Sequence, residues 1–261
     1  GVAASHRSRI PLWWMVVAGG IITSVSLGVR STFGLLIDPI ADGTASDLGT
    51  ISFAIAIQNL LWGLSQPVAG AVSDRYGTAR TLACGGVLYA VAMVLMSTAN
   101  SAGMVILSGG FIGGIAVGAA SFAVVLSAVG KMAPPEKRSL MLGVVSAVGS
   151  LGQFVLIPIT RILLDNGSWE RTTMILGMVA LLVVVAAPAM RSTPIIFDPA
   201  TRGPDRLLRA ELRRAAHSRS YLMLNAAFFV CGFHVTFIGI HLAGYVEGLG
   251  LSSSTAATAL A

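Results

Sequence analysis

The sequence predicts an all-α integral membrane protein with seven spans and the start of an eighth. Three observations lead there: the scarcity of charge, the length of the uncharged runs, and the placement of the basic residues. Of 261 residues, 55% are hydrophobic and only 11% charged, with mean hydropathy +0.82; an ordinary soluble protein carries about 25% charge. A soluble globule this poor in charge would expose large apolar patches and aggregate. Disorder is excluded from the other side, because the chain has ample apolar surface to bury. The 30 Gly residues show no three-residue period, which excludes collagen.

Crossing ~30 Å of hydrocarbon takes about 20 mostly apolar residues in a helix rising ~1.5 Å per residue. Runs free of Asp, Glu, Lys and Arg cover residues 10–29, 48–73, 81–130, 139–160, 172–190 and 220–246. They are continuous and about twice the length of a transmembrane β-strand, so they read as helices. The first follows His6, Arg7 and Arg9, like the basic start of a signal peptide. It is too long for a signal h-region and lacks a small-residue cleavage site, so it is a retained first span. The third run is too long for one helix and divides at the polar stretch Thr98-Ala99-Asn100-Ser101. A further candidate opens at Ser252. Cys84 and Cys231 both lie in apolar runs, which speaks against a disulfide framework.

Orientation follows from the basic residues. With the N-terminus cytoplasmic, 14 of the 17 Lys and Arg fall in cytoplasmic segments: Arg7, Arg9, Arg75, Arg80, Lys131, Lys137, Arg138 and seven Arg between Arg191 and Arg219. Arg171 alone falls in an outer loop, while Arg30 and Arg161 lie within spans. The positive-inside rule selects this topology. The net charge of +6 is therefore a topology signal and a lipid contact, not a nucleic-acid surface. The expected location is the plasma membrane, or the inner membrane in a bacterium. In the loop 191–219, Asp205 either caps a short amphipathic helix bearing Leu208, Leu212 and Ala215 over anionic inner-leaflet lipids, or the loop is a solvated linker.

Spans 2 and 5 echo each other. Span 2 reads Gln66-Pro67 and reaches Asp74 seven residues after the proline; span 5 has Gln153, then Pro158, and reaches Asp165 seven residues after it. Inverted three-helix repeats of secondary transporters produce such an echo. After span 2, Gly70-Ala71-Val72-Ser73-Asp74-Arg75-Tyr76-Gly77 resembles the signature between helices 2 and 3 of the major facilitator superfamily. In that reading Gly70 allows close helix approach and Gly77 a tight turn. Asp74 accepts from a neighbouring helix N-terminus or an Arg, forming a gate with Arg75 and Arg80. Thr78 and Ala79 separate Arg80 from the second Gly, a departure from the family pattern.

Further stretches resemble the monocarboxylate porter group and its oxalate/formate antiporter-like bacterial members. Pro134-Pro135-Glu136-Lys137-Arg138-Ser139, with Gly143, Ser146, Gly149 and Gln153, is similar to their helix 4–5 region. Arg30-Ser31-Thr32-Phe33-Gly34 is similar to their opening span, Gly167-Ser168-Trp169-Glu170-Arg171 to their entry to helix 6, and Cys231-Gly232-Phe233-His234 with His241 and Tyr245 to their seventh helix. The resemblance implies a major facilitator fold: a six-helix N-terminal bundle over 1–190, a basic cytoplasmic linker over 191–219, and the start of a C-terminal bundle, helix 7 and part of helix 8, over 220–261. About seven and a half spans do not close a two-bundle carrier. With no initial Met and an apolar end at Thr258-Ala259-Leu260-Ala261, the expectation is a fragment that does not transport by itself.

The implied function is secondary transport of a small organic anion, a monocarboxylate, by alternating access with proton symport or anion exchange. Gly19, Thr23, Ser26 and Arg30 share one helical face, a small, polar stripe pointing away from lipid. Arg30 there either offers a carboxylate its bidentate fork or snorkels to the outer headgroups. His234 and His241, two turns apart on one face with Tyr245, are candidate proton carriers. Asn59 and Gln153 are the candidate cavity-lining amides, within stripes that include Trp62, Gln66, Ser146 and Ser150. Arg161 and Asp165 form a local i,i+4 pair, and Gly110, Gly114 and Gly118 a close helix contact. The helix 4 Arg of proton-driven drug exporters is missing, which disfavours that alternative; a non-transporting membrane sensor is the other. No metal cluster, phosphate loop or Ser/His/Asp order occurs, so neither enzyme, cofactor nor metal is expected.

Overall fold

The computed structural model describes residues 11–191 and 213–250, together with Ser252 and Thr258. Asp205, Leu208 and Leu212 of the suggested amphipathic helix lie outside the described residues, as does most of the chain after Gly250. Among the described residues, seven helices are long and apolar enough to cross a membrane: α1 Leu12–Ser31, α2 Leu48–Tyr76, α3 Thr78–Ser97, α4 Ala102–Met132, α5 Pro135–Asp165, α6 Trp169–Met190 and α7 Arg219–Gly248.

The helix ends follow local chemistry. A single-residue break at Thr32 separates α1 from a helical continuation, Phe33–Gly43; the Thr32 hydroxyl bonds the Val29 carbonyl at 2.8 Å, competing with the helix ladder. The expected break between α3 and α4 falls at Thr98–Ser101's polar stretch, where α3 stops at Ser97 and α4 resumes at Ala102. Within α4, Ile106–Ile112 is π-helical, and a turn at Ala120 is restarted by Ser121, whose hydroxyl accepts from the Val124 amide. The helix α5 opens on Pro135 and retains Pro158 in its interior. It has 31 residues, about 46 Å at 1.5 Å each, so its charged first turn and Asp165 project beyond ~30 Å of hydrocarbon. The charge-free run was therefore shorter than the helix.

Asp47 caps α2. Its carboxylate accepts from the Thr50 amide at 3.0 Å and from the Thr50 hydroxyl, and the hydroxyl bond chiefly holds its pKa below the ordinary carboxylate value. A depressed folded pKa stabilises above the unfolded pKa of about 3.9 and is lost as pH falls through the lowered folded value. Faster amide exchange at Thr50 is therefore expected only below about pH 4, and Asp47→Ala should show it at neutral pH.

Two helix pairs form the core of the bundle. On α1, Ser24 donates to the Val148 carbonyl at 2.6 Å and Thr23 to the Val145 carbonyl at 3.3 Å, both on α5. Gly28 and Gly152 bring these backbones together: a Cβ on Gly28 would lie 2.7 Å from the Gly152 carbonyl oxygen. The second pair is α2 with α4. A Cβ on Gly110 would lie 3.0 Å from the Ala54 oxygen, on Gly114 2.7 Å from that of Gln58, and on Gly118 3.2 Å from that of Trp62. The three-glycine ladder is thus a close helix contact, as expected. Exchanging helices 1 with 4 and 2 with 5 turns one pair into the other, the relation that inverted three-helix repeats require.

Large apolar side chains such as Ile22, Leu36, Leu82, Met93 and Met96 are buried between these helices. Leu60, Leu64, Val68, Phe154 and Phe228 are exposed, as a bilayer-facing surface permits. On α7, Leu242 and Val246 pack in one cluster with Leu35 and Ile157.

Candidate functional site

Arg30 lies in the last turn of α1, where three helices reach it. One Nη2 nitrogen donates to Asn59 Oδ1 on α2 at 2.8 Å and to Thr236 Oγ1 on α7 at 3.4 Å. The guanidinium carbon stands 4.2 Å from the centroid of the Trp62 ring, one turn along α2 from Asn59, a cation–π contact that holds the fork in a plane. Asn59 is oriented in turn: its Nδ2 donates to the Ile55 carbonyl at 2.9 Å, leaving Oδ1 toward Arg30.

The site is under-satisfied. The buried Arg30 Nε, Trp62 Nε1 and Tyr89 hydroxyl have no hydrogen-bond partner among the described residues. Tyr89 is fully buried on α3. Buried donors in native proteins are nearly all paired, so a cluster of unpaired donors around one cation suits an acceptor-rich, negatively charged guest.

Gln153 is close by in the framework but differently engaged: its Oε1 accepts from Ser31 Oγ at 3.0 Å, tying α5 to the residue after Arg30. The small polar stripe on α1 does face away from lipid, as expected, yet it packs rather than lines a passage. Ser26 donates to the Ala120 carbonyl at 2.7 Å, and Gly19 meets Val125 and Val145. Ser146 and Ser150 bond carbonyls of their own helix. His234 and His241 are not brought to Arg30. Both are exposed; His234 Nδ1 lies 2.8 Å from the Val230 carbonyl of its own helix, and His241 packs against Phe237. On α7 it is Thr236, about half a helical turn from His234, that faces Arg30.

The loop after α2 carries the residues of the expected gate. Gly77 has φ +96°, in the left-handed region that favours glycine, and is the single residue between the end of α2 at Tyr76 and the start of α3 at Thr78. Among the described residues Asp74 pairs with Lys131, in the last turn of α4. Both partners are substantially exposed, so the pair contributes at most about 1 kcal/mol. A Cβ on Gly70 would meet nothing within 4 Å among the described residues. Arg75 lies over the Tyr76 ring at 5.4 Å. Arg80 is exposed at a pocket shared with Arg191. Arg161 and Asp165 pair at 2.7 Å as expected.

Sequence reasoning passed over Gln58. It is 1% exposed, and its Nε2 donates to the Gly109 carbonyl at 2.9 Å inside the π-helical segment of α4. A π-segment displaces a carbonyl from the regular ladder, and Gln58 satisfies it. Gln58→Leu should orphan that carbonyl and cost about 1 kcal/mol, read as a lower unfolding midpoint in detergent. Lys131 and Thr236 were also missed; each is unremarkable until the helices are packed.

Fold and site together define a helical multi-pass membrane protein that holds a cation among unpaired donors inside its bundle. The sequence matches the Major Facilitator Superfamily over residues 19–261, and the chain belongs to that family of transporters. It is similar to monocarboxylate transporter 13 of Bos taurus, 24% identical over 241 residues, covering 91% of this chain and 54% of that protein. It is also similar to the MFS-type transporter YhjX of Escherichia coli (strain K12), 28% identical over 182 residues, covering 69% and 45% respectively. Among solved structures it resembles the inward-open xylose transporter XylE from E. coli, with TM-score 0.60 and 15% identity, over 95% of this chain and 64% of that one. A peptide transporter POT in complex with sulfate gives TM-score 0.59 at 18% identity, over 88% and 49%. The structural likeness shows the fold alone. The chain spans about half the length of the curated relatives it matches.

Proposed function

We propose that the complete protein is a secondary carrier that moves a small organic anion, a monocarboxylate, by alternating access, with proton symport or anion exchange as the driving process. The observation that supports this reading is the Arg30 cluster, a cation in the membrane whose Nε–H and the Nε1–H of the Trp62 ring beside it have no partner among the described residues. An ionisable group inside a bilayer is costly unless it faces a cavity or a partner. A carboxylate supplies the missing negative charge and acceptors together. Arg30 is the anion-binding residue, Asn59 orients it, and Gln153 supports the same turn. The similarity to a monocarboxylate transporter agrees with this choice of anion.

His234 and His241 are the candidate proton carriers, since imidazole titrates near neutral pH. Gly70, Asp74, Arg75, Gly77 and Arg80 form the gating loop, in which the Asp74–Lys131 pair breaks and re-forms as the bundles rock. The N-terminus lies on the cytoplasmic side of the plasma membrane, in keeping with the basic residues.

The test is uptake of radiolabelled monocarboxylates by the complete protein in proteoliposomes, with and without unlabelled anion inside. Uptake accelerated by internal anion, or accompanied by alkalinisation outside, is the expected result. A complete protein that neither takes up nor exchanges any of them would overturn the reading.

A further inference from the structure

We infer that Trp62 is a second anion-binding residue, whose indole N–H donates to the same carboxylate that Arg30 holds. This role deepens the function proposed above and rests on it. Trp62 is held in place by its neighbours. Its carbonyl accepts from Ser65 Oγ at 3.3 Å. Gly118 brings α4 against the same carbonyl, where a Cβ would lie 3.2 Å away. The side chain packs against the apolar core of the bundle, and the Arg30 guanidinium covers the ring at 4.2 Å from its centroid. The cation thus meets the electron-rich face, while the N–H lies in the ring plane and acts only as a donor.

The stacked pair is left with two unmatched donors. Arg30 Nε and Trp62 Nε1 are both buried and have no hydrogen-bond partner among the described residues. They cannot satisfy each other, because guanidinium and indole carry no acceptor. Asn59, one turn away, is already engaged: its Oδ1 accepts from Arg30 Nη2 and its Nδ2 donates to the Ile55 carbonyl. Both orphan nitrogens are enclosed by the described helices. A guest that enters the cluster meets them; a helix laid against its outside does not. Their parent groups are centred 4.2 Å apart, so one carboxylate, accepting at two oxygens, is within reach of both. A water would satisfy a donor but leave the cation uncompensated in the membrane. The residue type fits the task as well. A second cation beside Arg30 would repel it, whereas indole adds a donor with no further charge to desolvate.

The test uses the complete protein with acetate, lactate and pyruvate as probes. Trp62→Phe keeps an aromatic face for Arg30 but has no N–H; Trp62→Leu removes both. In proteoliposomes, KM for the probe taken up fastest should rise roughly tenfold in Trp62→Phe, the loss of one hydrogen bond to a charged group, and kcat should change less. If Trp62 only stacks on Arg30, Phe should transport as wild type and Leu alone be impaired, and that result would overturn the role. A magnetic-resonance titration gives the second readout, on protein isotope-labelled at the indole nitrogens. The indole signal missing from either variant belongs to Trp62, and in the wild type its proton should move downfield, saturably, as the probe is added. If no indole proton of the transporting wild type moves at saturation, the role of Trp62 falls whether or not the variants fold, and the carrier reading stands. A wild type that transports none of the probes overturns that reading, and this role with it.

Discussion

Replacing Arg30 by Gln is expected, on the function proposed above, to lower the apparent affinity of the complete protein for monocarboxylates by roughly 10- to 100-fold, the loss of one charge-assisted interaction worth about 1.5–3 kcal/mol. Gln keeps hydrogen-bonding capacity toward Asn59 and Thr236 but removes the charge and the Nε–H that has no partner among the described residues. Arg30→Lys separates two explanations. Lysine preserves the charge but loses the planar fork and its stacking on Trp62. If Arg30 acts by fork geometry, Lys should remain clearly impaired in KM. If Arg30 only snorkels to headgroups, Lys should transport as wild type. Initial rates against concentration in proteoliposomes make the measurement, with an unfolding midpoint in detergent to show that each variant is folded. Uptake unchanged in Arg30→Gln would remove Arg30 from the anion site.

Gly152→Ala should be the most damaging single-methyl change in the bundle, at about 3 kcal/mol. Its new Cβ would fall inside contact distance of the Ser24 carbonyl oxygen, Cα and carbonyl carbon. Those atoms are backbone, held by the regular hydrogen bonds of α1, and no rotamer change relieves the clash. The helices α1 and α5 would have to separate, breaking the Ser24 bond to Val148. Gly63→Ala on α2 is the control, because a Cβ there meets nothing within 4 Å. By helix propensity alone it should be neutral or stabilising, by up to about 1 kcal/mol. Thermal unfolding of both variants in one detergent checks the pair. A Gly152→Ala midpoint equal to wild type would refute the direct backbone contact.

Much of this was legible in one dimension, for identifiable reasons. Spans announce themselves because a bilayer tolerates no charge over some twenty residues, and the polar break before Ala102 needed only composition to locate it. Gly77 was readable because a chain reversal between two helices demands a φ that other residues avoid. The Gly110, Gly114 and Gly118 ladder showed itself through its four-residue spacing. Arg30 stood out because charge in a span is costly.

What remained hidden depended on partners distant in sequence. Lys131 looked like a topology marker until α4 ended beside Asp74. Gln58 looked like an ordinary polar residue until the π-helical turn placed the Gly109 carbonyl against it. Gly70 belonged to a recognisable motif, yet among the described residues nothing stands within 4 Å of where its Cβ would be. His234 and Thr236 are two residues apart, and only the rotation of α7 about its axis decides that Thr236 meets Arg30. By itself, then, the sequence determined solvent, span number, helix class and family, since these depend on local composition and on periods within a single helix. The tertiary structure decided which polar groups meet, which glycines are contacts, and which donors stay unpaired. Those properties depend on crossing positions and helix rotation, and each is a sum over packing contacts that no single segment contains.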